Sequence, residues 1–237
     1  SVKILYAPIF VRYIEFLGDE PFEGGISKLI QSHFQIIETT YNKALFQGGQ
    51  EEVFQQISDY SSFKMKSQAE RSLKKADKLE YKVEISEDYS MVYKTIQSEL
   101  LNKFSGITEK SLLSLDRLFR EAKKANVLKA YEVLDKENSK VGGIICLESE
   151  NSILYLKGAV NDEVKSNGGM YLALSTAIEN TKSSNKPFDF GGSRMDGVKR
   201  FNHNLGGKDV VYYSYHIDNG PIWFKLARRI KNKWSKK

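Results

Sequence analysis

The chain has 237 residues, of which 41% are hydrophobic and 28% charged. That suits one ordinary domain or two small ones and excludes a disordered or fibrous chain. A single cysteine, Cys146, excludes an internal disulfide framework, and His33, His203 and His216 lie too far apart for a zinc motif, so no metal is expected. The net charge of +6 is a property of the tail: seven bases and no acid lie between Asn219 and Lys237, leaving 29 bases against 30 acids elsewhere. A nucleic-acid-binding body would carry its basicity across the fold. No apolar run approaches the ~20 residues of a membrane span. The first residues, broken by Lys3, Arg12 and Glu15, lack a signal-peptide layout, so the reading is a soluble, cytoplasmic protein.

In chain order, Val2–Phe10 reads as a strand, Gly25–Phe34 as a helix, Gln35–Tyr41 as a strand and Gln50–Tyr60 as a short amphipathic helix. From Ser61 the chain turns helical and basic, with Arg71, Lys74, Lys75 and Lys78 on one helix face. That stripe is a solvated face or an anion-facing one. Tyr81–Ile85 alternates as a strand, and helices follow over Asp88–Phe104 and Thr108–Ala125, with Thr108 as an N-cap lacking the full capping box. Three strands, Lys129–Leu134, Val141–Leu147 and Ser152–Val160, are joined by turn-forming residues. A helix from Gly169 to Lys182, a strand over Pro187–Phe190, a helix over Gly197–Leu205, a strand over Lys208–Ile217 and a basic tail helix complete the series. Hairpins followed by βαβ crossovers imply an α/β fold with a mixed sheet and helices on its faces.

That order resembles the GNAT superfamily of N-acetyltransferases. FDFGGSRMDGVKRFNHNLGG (Phe188–Gly207) is similar to the "fDFgGs … Gv..Fk..fG" signature of the FemAB-like branch, whose best-known members add amino acids to peptidoglycan precursors. The stretch from YLKGAV to KPFDF (Tyr155–Phe190) and YSSFKMKSQAERSLKKADKLEYKVEI (Tyr60–Ile85) resemble two further segments of that branch. The resemblance implies two GNAT-like halves in one chain. Here 1–60, including LYAPIFVRYIEFLG, would be a partial first half, 61–80 a basic connecting helix, 81–218 the GNAT-like acyltransferase domain and 219–237 a basic amphipathic helix. The chain starts without a methionine and inside a strand, which reads as a larger first half cut short or lost.

The resemblance also implies an acyl-CoA donor, its pantetheine along the strand at Gly158, Ala159 and Val160 and its pyrophosphate at Lys165, Asn167, Gly168 and Gly169 before the next helix. Lys165 and Met170 depart from the superfamily's Q/R-x-x-G-x-G/A pattern, and a glycine pair before a helix is otherwise a plain turn. Asp189, at a strand's C-terminal end before Gly191, Gly192 and Ser193, is placed to orient or deprotonate an amine, or else caps the glycine turn. His203 is a proton donor or an ordinary helix histidine, and Arg194 suits a carboxylate or phosphate of the acceptor. Asn202 stands where the peptidoglycan-bridge enzymes carry a lysine after the helix phenylalanine, here Phe201, and is grouped with Gly191, Gly192, Ser193 and Arg194 as substrate-binding. Cys146, mid-strand in an apolar run, reads as core.

In the tail, Ile222, Trp223, Leu226, Ile230 and Trp234 fall on one side of a helix. The helix packs on the body with its basic face in water, makes peripheral membrane contact, or touches nucleic acid. Three functions stay open: an N-acyltransferase from acyl-CoA to a small-molecule or cell-envelope amine, a Fem-type transferase using aminoacyl-tRNA on a cell-wall precursor, and a non-catalytic GNAT-fold binding module.

Overall fold

A computed structural model describes residues 1–7, 10–15, 23–103, 106–192 and 195–234. Close packing divides the chain into two units, Ser1–Val53 with Val211–Lys237, and Phe54–Val210. Two strands, β3 (Gln50–Ile57) and β9 (Lys208–Asp218), run across the divisions.

In the first unit, β1 (Ile4–Tyr6) lies parallel to β2 (Ile36–Tyr41), which pairs antiparallel with β9 from Ile36↔Asp218 to Tyr41↔Tyr213. Alternation sends Ile37, Tyr41 and Tyr215 to one face, where they pack with Leu45, Phe46 and the half-buried Ile26 and Ile30 of α1 (Glu23–His33). The Tyr215 hydroxyl accepts from the Leu45 amide at 2.7 Å, tying the loop after β2 to this core. Helix α8 (Ile222–Trp234) closes the unit.

The second unit carries the candidate site residues. Its elements after β3 are α2 (Ser67–Lys78), β4 (Lys82–Ser86), α3 (Ser90–Lys103), α4 (Glu109–Lys124), β5 (Leu128–Leu134), β6 (Lys140–Glu148), β7 (Ile153–Val160), α5 (Asp162–Ser166), α6 (Gly169–Ser183), β8 (Phe188–Asp189) and α7 (Asp196–Asn204). The strands lie in the order β3-β8-β7-β6-β5-β4, with only β7 and β8 parallel among these pairs. On one face Tyr131, Val133, Ile144, Cys146, Ile153 and Phe188 meet Ala173, Leu174, Ala177 and Ile178 of α6 and Ala69 of α2. Each large side chain fully buried here contributes roughly 1.5–3 kcal/mol. Against the other face lies α3, whose Val92 reaches Gly143.

The mixed α/β architecture matches the sequence reading, and three local expectations are corrected. Residues 50–57 form strand β3, not a helix, because Gln56 and Ile57 pair with Asp189 and Phe188 of β8. Phe54 and Ile57 mimic helical spacing, but sheet pairing overrides so short a pattern. A turn of helix missed by the sequence reading, α5, follows β7, with the Asn161 side chain accepting from Val164 N–H at 2.8 Å as its N-cap. The capping box of α4 is complete, because Ser111 takes the place of an acidic residue.

Candidate functional site

Strands β7 and β8 pair at only two positions, Ile153↔Phe188 and Leu154↔Asp189. Past these, β7 continues to Val160 beside β6, while the chain after β8 stays with β3 through the Phe190 amide, which donates to Gln55 O at 3.0 Å. The two strands part there, and beyond Tyr155 the β8-facing edge of β7 has no strand against it among the described residues. The register with β6 shifts in the same stretch: Tyr155 opposes Cys146 and Lys157 opposes Ile145, leaving Leu156 as the extra residue of a bulge. A bulge re-aims backbone groups and local side chains.

Asp189 ends β8 beside this gap and is buried. Its Oδ1 accepts from the Gly191 amide at 2.8 Å. Gly191 and Gly192 have φ of +80° and +78°, and a Cβ on Gly191 would lie 2.5 Å from Tyr155 O. Only glycine therefore fits at 191. Ser193 and Arg194 lie outside the described residues. Burial drives the Tyr155 phenol strongly upward, with the neighbouring Cys146 and Glu99 adding to the rise, so it stays protonated. Burial does the same to the Cys146 thiol, which is no nucleophile.

His203 is not brought to Asp189. Asp189 opposes Gln56, so these two share one face of the sheet, and Gln55 projects to the other. On Gln55's side a polar chain runs through α7 to the start of β9. Asn202 Nδ2 donates to Gln55 Oε1 at 3.0 Å, and Gln55 Nε2 donates to Asp209 Oδ1 at 2.8 Å. His203 Nε2 also lies 3.2 Å from Asp209 Oδ1, and Lys199 Nζ lies 3.3 Å from Oδ2. Burial raises the Asp209 carboxyl, but Gln55, Lys199 and His203 together hold it below the usual range. His203 Nδ1 sits 2.8 Å from Gly207 O, a carbonyl that only accepts, so the ring is anchored at both nitrogens. Asn202 and Gln55 are completely buried. Asn202 is a packing residue of α7, and the substrate-binding place expected for it is inside the core.

The expected phosphate loop is also built differently. Gly168, at φ +92°, lets Ser72 of α2 approach: a Cβ there would stand 2.2 Å from Ser72 O. Gly169 packs on Val164, and Asn167 is the C-cap of α5. The two glycines thus admit protein rather than an open cradle. Helix α6 makes its first bond from Leu172 N–H to Gly168 O, so the amides of Gly169, Met170 and Tyr171 precede it. The cation reaching this loop is Lys75 of the α2 stripe, which donates to Ser166 O at 3.2 Å. Lys165 turns instead to Glu99 of α3, at 3.3 Å, where Lys103 also binds.

Lys157 joins that group from the bulged strand. Burial lowers its ammonium pKa, opposed by Glu99 and assisted by Lys103 and Lys165. Three lysines about one carboxylate leave a positive site where β7 leaves β8. A separate hollow of about 490 Å³ between the end of α2, the β5–β6 turn and α5 is lined by Glu80, Asp135, Glu137 and Glu163 against Lys78 and Lys136, which does not suit an anion. Of the expected strand residues, Gly158 packs its missing side chain on Ile144, and Ala159 and Val160 are buried. Among the described residues no group of three His, Cys, Asp or Glu side chains could hold a metal.

The Lys157 shift carries a pH prediction. Because the folded pKa is lowered, the unfolded chain binds more protons between the folded value and about 10.4. Stability from this group therefore rises with pH across that window. Lys157→Met is expected to be more stable than the parent at pH 7, and the difference to shrink as pH approaches 10. A difference that is constant in urea denaturation from pH 7 to 10 would count against this burial.

Gln55, Glu99, Lys103 and Asp209 were missed by sequence reasoning, which had Lys75 only as part of the α2 stripe and Tyr155 and Lys157 only as part of the strand expected to hold the pantetheine. Lys157 had a signal, a lone charge inside an apolar strand, and Glu99 and Lys103 are four apart on one helix. Gln55 had none.

No family model and no curated protein matches the chain. Solved structures do match in fold. FemX is 11% identical, with a TM-score of 0.60 over 87% of this chain and 80% of its own. The C-terminal domain of a protein described as a lysylphosphatidylglycerol synthetase from Agrobacterium fabrum is 10% identical, with a TM-score of 0.58 over 86% and 75%. L-PGS from Bacillus licheniformis is 11% identical, with a TM-score of 0.52 over 85% and 74%. The element order and these likenesses together show that the chain shares the mixed α/β fold of these structures.

Proposed function

We propose that the protein is an acyltransferase that moves an acyl group from an activated donor to an amine by direct attack. The observation that carries this is the opening between β7 and β8, with the Leu156 bulge on one side and Asp189 on the other. An extended donor arm pairs with the exposed edge of β7, and a backbone amide at the bulge faces the developing oxyanion. The amine nitrogen bonds to the acyl carbon as the bond to the leaving sulfur or oxygen breaks. The amine's proton passes to Asp189, and water relays one proton back to the leaving sulfur or oxygen, which departs as the thiol or hydroxyl. No protein nucleophile is needed, which suits an inert Cys146.

The donor favoured by this reading is an acyl-CoA. Its pyrophosphate would meet the first amides of α6, Lys75 and the lysines about Glu99. A second donor, aminoacyl-tRNA, is favoured by one observation: α2 packs on the loop at Gly168 while Arg71, Lys74 and Lys78 stay exposed along it. A polyanion can follow such a stripe. The acceptor remains an amine of a small molecule or of a cell-envelope precursor.

Thermal melting with acetyl-CoA, free CoA and bulk aminoacyl-tRNA separates these. A donor at a hundredfold excess over its Kd adds about 2.7 kcal/mol, roughly 5–11 °C for a domain of this size. Acetyl-CoA is expected to raise the melting temperature, and Lys75→Glu to reduce that shift without lowering the unliganded value. A shift with aminoacyl-tRNA alone moves the donor to the second reading. No shift with any of them sinks the acyltransferase reading in favour of a binding module.

A further inference from the structure

Helix α8 sits on its unit the wrong way round for a core-packing helix. Its half-buried residues are Phe224, Lys225 and Arg228. Arg228 bonds both oxygens of Glu38 on β2, at 2.8 and 3.1 Å, and Lys225 donates to Asp218 O at 2.9 Å. The apolar side faces outward: Ile222 is 78% exposed, Trp223 64%, Leu226 52% and Ile230 59%. An amphipathic helix ordinarily buries this stripe, and exposed apolar patches mark interaction sites.

We infer that α8 seats the protein on an anionic phospholipid surface, lying in the interface with Ile222, Trp223, Leu226 and Ile230 among the lipid. Charge complementarity selects this occupant, because the segment Asn219–Lys237 holds no acid and, besides the inward-turned Lys225 and Arg228, five further bases. Tryptophan beside aliphatic residues is the composition of helices that lie in a membrane interface. At 13 residues the helix is about 20 Å long, too short to cross. No helix among the described residues is long and apolar enough to cross a membrane. Nucleic acid would use the cations but leaves four exposed apolar side chains unexplained. The inference is independent of the acyl-transfer reading, since none of these residues belongs to the candidate site.

The 237-residue chain is to be sedimented with vesicles of phosphatidylcholine, alone or mixed with phosphatidylglycerol. Binding is expected on the mixed vesicles only, with tryptophan emission moving to the blue and binding weakening with salt. Leu226→Ser and Ile230→Ser are each expected to weaken binding about tenfold, and Arg229→Gln about fivefold. All three side chains are exposed, so circular dichroism melting should not change. The inference is overturned if the chain ignores mixed vesicles, if it binds an RNA homopolymer instead, or if it self-associates with Trp223 protected from quenchers.

Discussion

Gly168→Ala is expected to destabilise the 54–210 unit by about 2–5 kcal/mol, whatever the protein binds. Two causes add. At φ +92° an alanine pays the left-handed penalty, and its Cβ would stand 2.2 Å from Ser72 O and 2.9 Å from Ser72 C. Those atoms are helix backbone, so α2 must shift as a body and its Ala69 and Ala76 lose their buried places. Gly197→Ala is the contrasting change. Gly197 lies inside α7 with nothing near its missing Cβ, so alanine should stabilise by about 0.5–1 kcal/mol through backbone entropy. Urea denaturation of both variants, with unchanged m, checks the pair. A Gly168→Ala protein within about 0.5 kcal/mol of the parent would show that α2 does not rest on this glycine. The result also bears on how the loop is probed. Substituting Gly168 damages packing before it tests phosphate contact, so Lys75→Glu is the cleaner variant for donor binding.

Much of the architecture was legible because the signals are local. The alternation of β4 to β7, the apolar stripe of α6 and the turn residues between strands each sit in one short window. What escaped depends on partners far along the chain. Residues 50–57 are a strand only because β8 is there to pair with them. Asn202 looked like a lysine replaced at a substrate position, yet the face of α7 that turns inward is decided by Gln55, 147 residues away. Lys165 was expected to face a phosphate, and Glu99, 66 residues earlier, draws it to α3. The amphipathicity of α8 was equally plain, but its period says nothing of which side faces in. Glu38 decides that, and it turns Arg228 inward. Gly168 was expected at a phosphate and Gly191 at the acceptor, whereas both first allow protein backbone to approach.

Asp189→Asn is expected to lower acyl transfer about a hundredfold or more at saturating donor and acceptor, the range for loss of a general base, while leaving the fold intact. The substitution is chosen because the bond of Asp189 to the glycine turn is acceptor chemistry that an amide retains: the Asn Oδ1 can still take the Gly191 N–H that Asp189 Oδ1 now takes at 2.8 Å. The glycine turn should therefore keep its shape, and melting should stay within a few degrees of the parent. What asparagine cannot do is accept the amine's proton. If Asp189 is the base, kcat falls at neutral pH while KM for the donor holds, and raising the pH recovers part of the rate as more acceptor arrives as free amine. If Asp189 only caps the turn, kcat stays near the parent value. Asp189→Ala, which loses the cap as well, should then show lowered melting with little further loss of kcat relative to that loss of fold. His203→Gln is the matched control. Its ring is held by Asp209 and Gly207 on the side of the sheet opposite Asp189's side chain, so a loss of kcat with His203→Gln as large as that with Asp189→Asn would place the base on the other face and sink the assignment to Asp189.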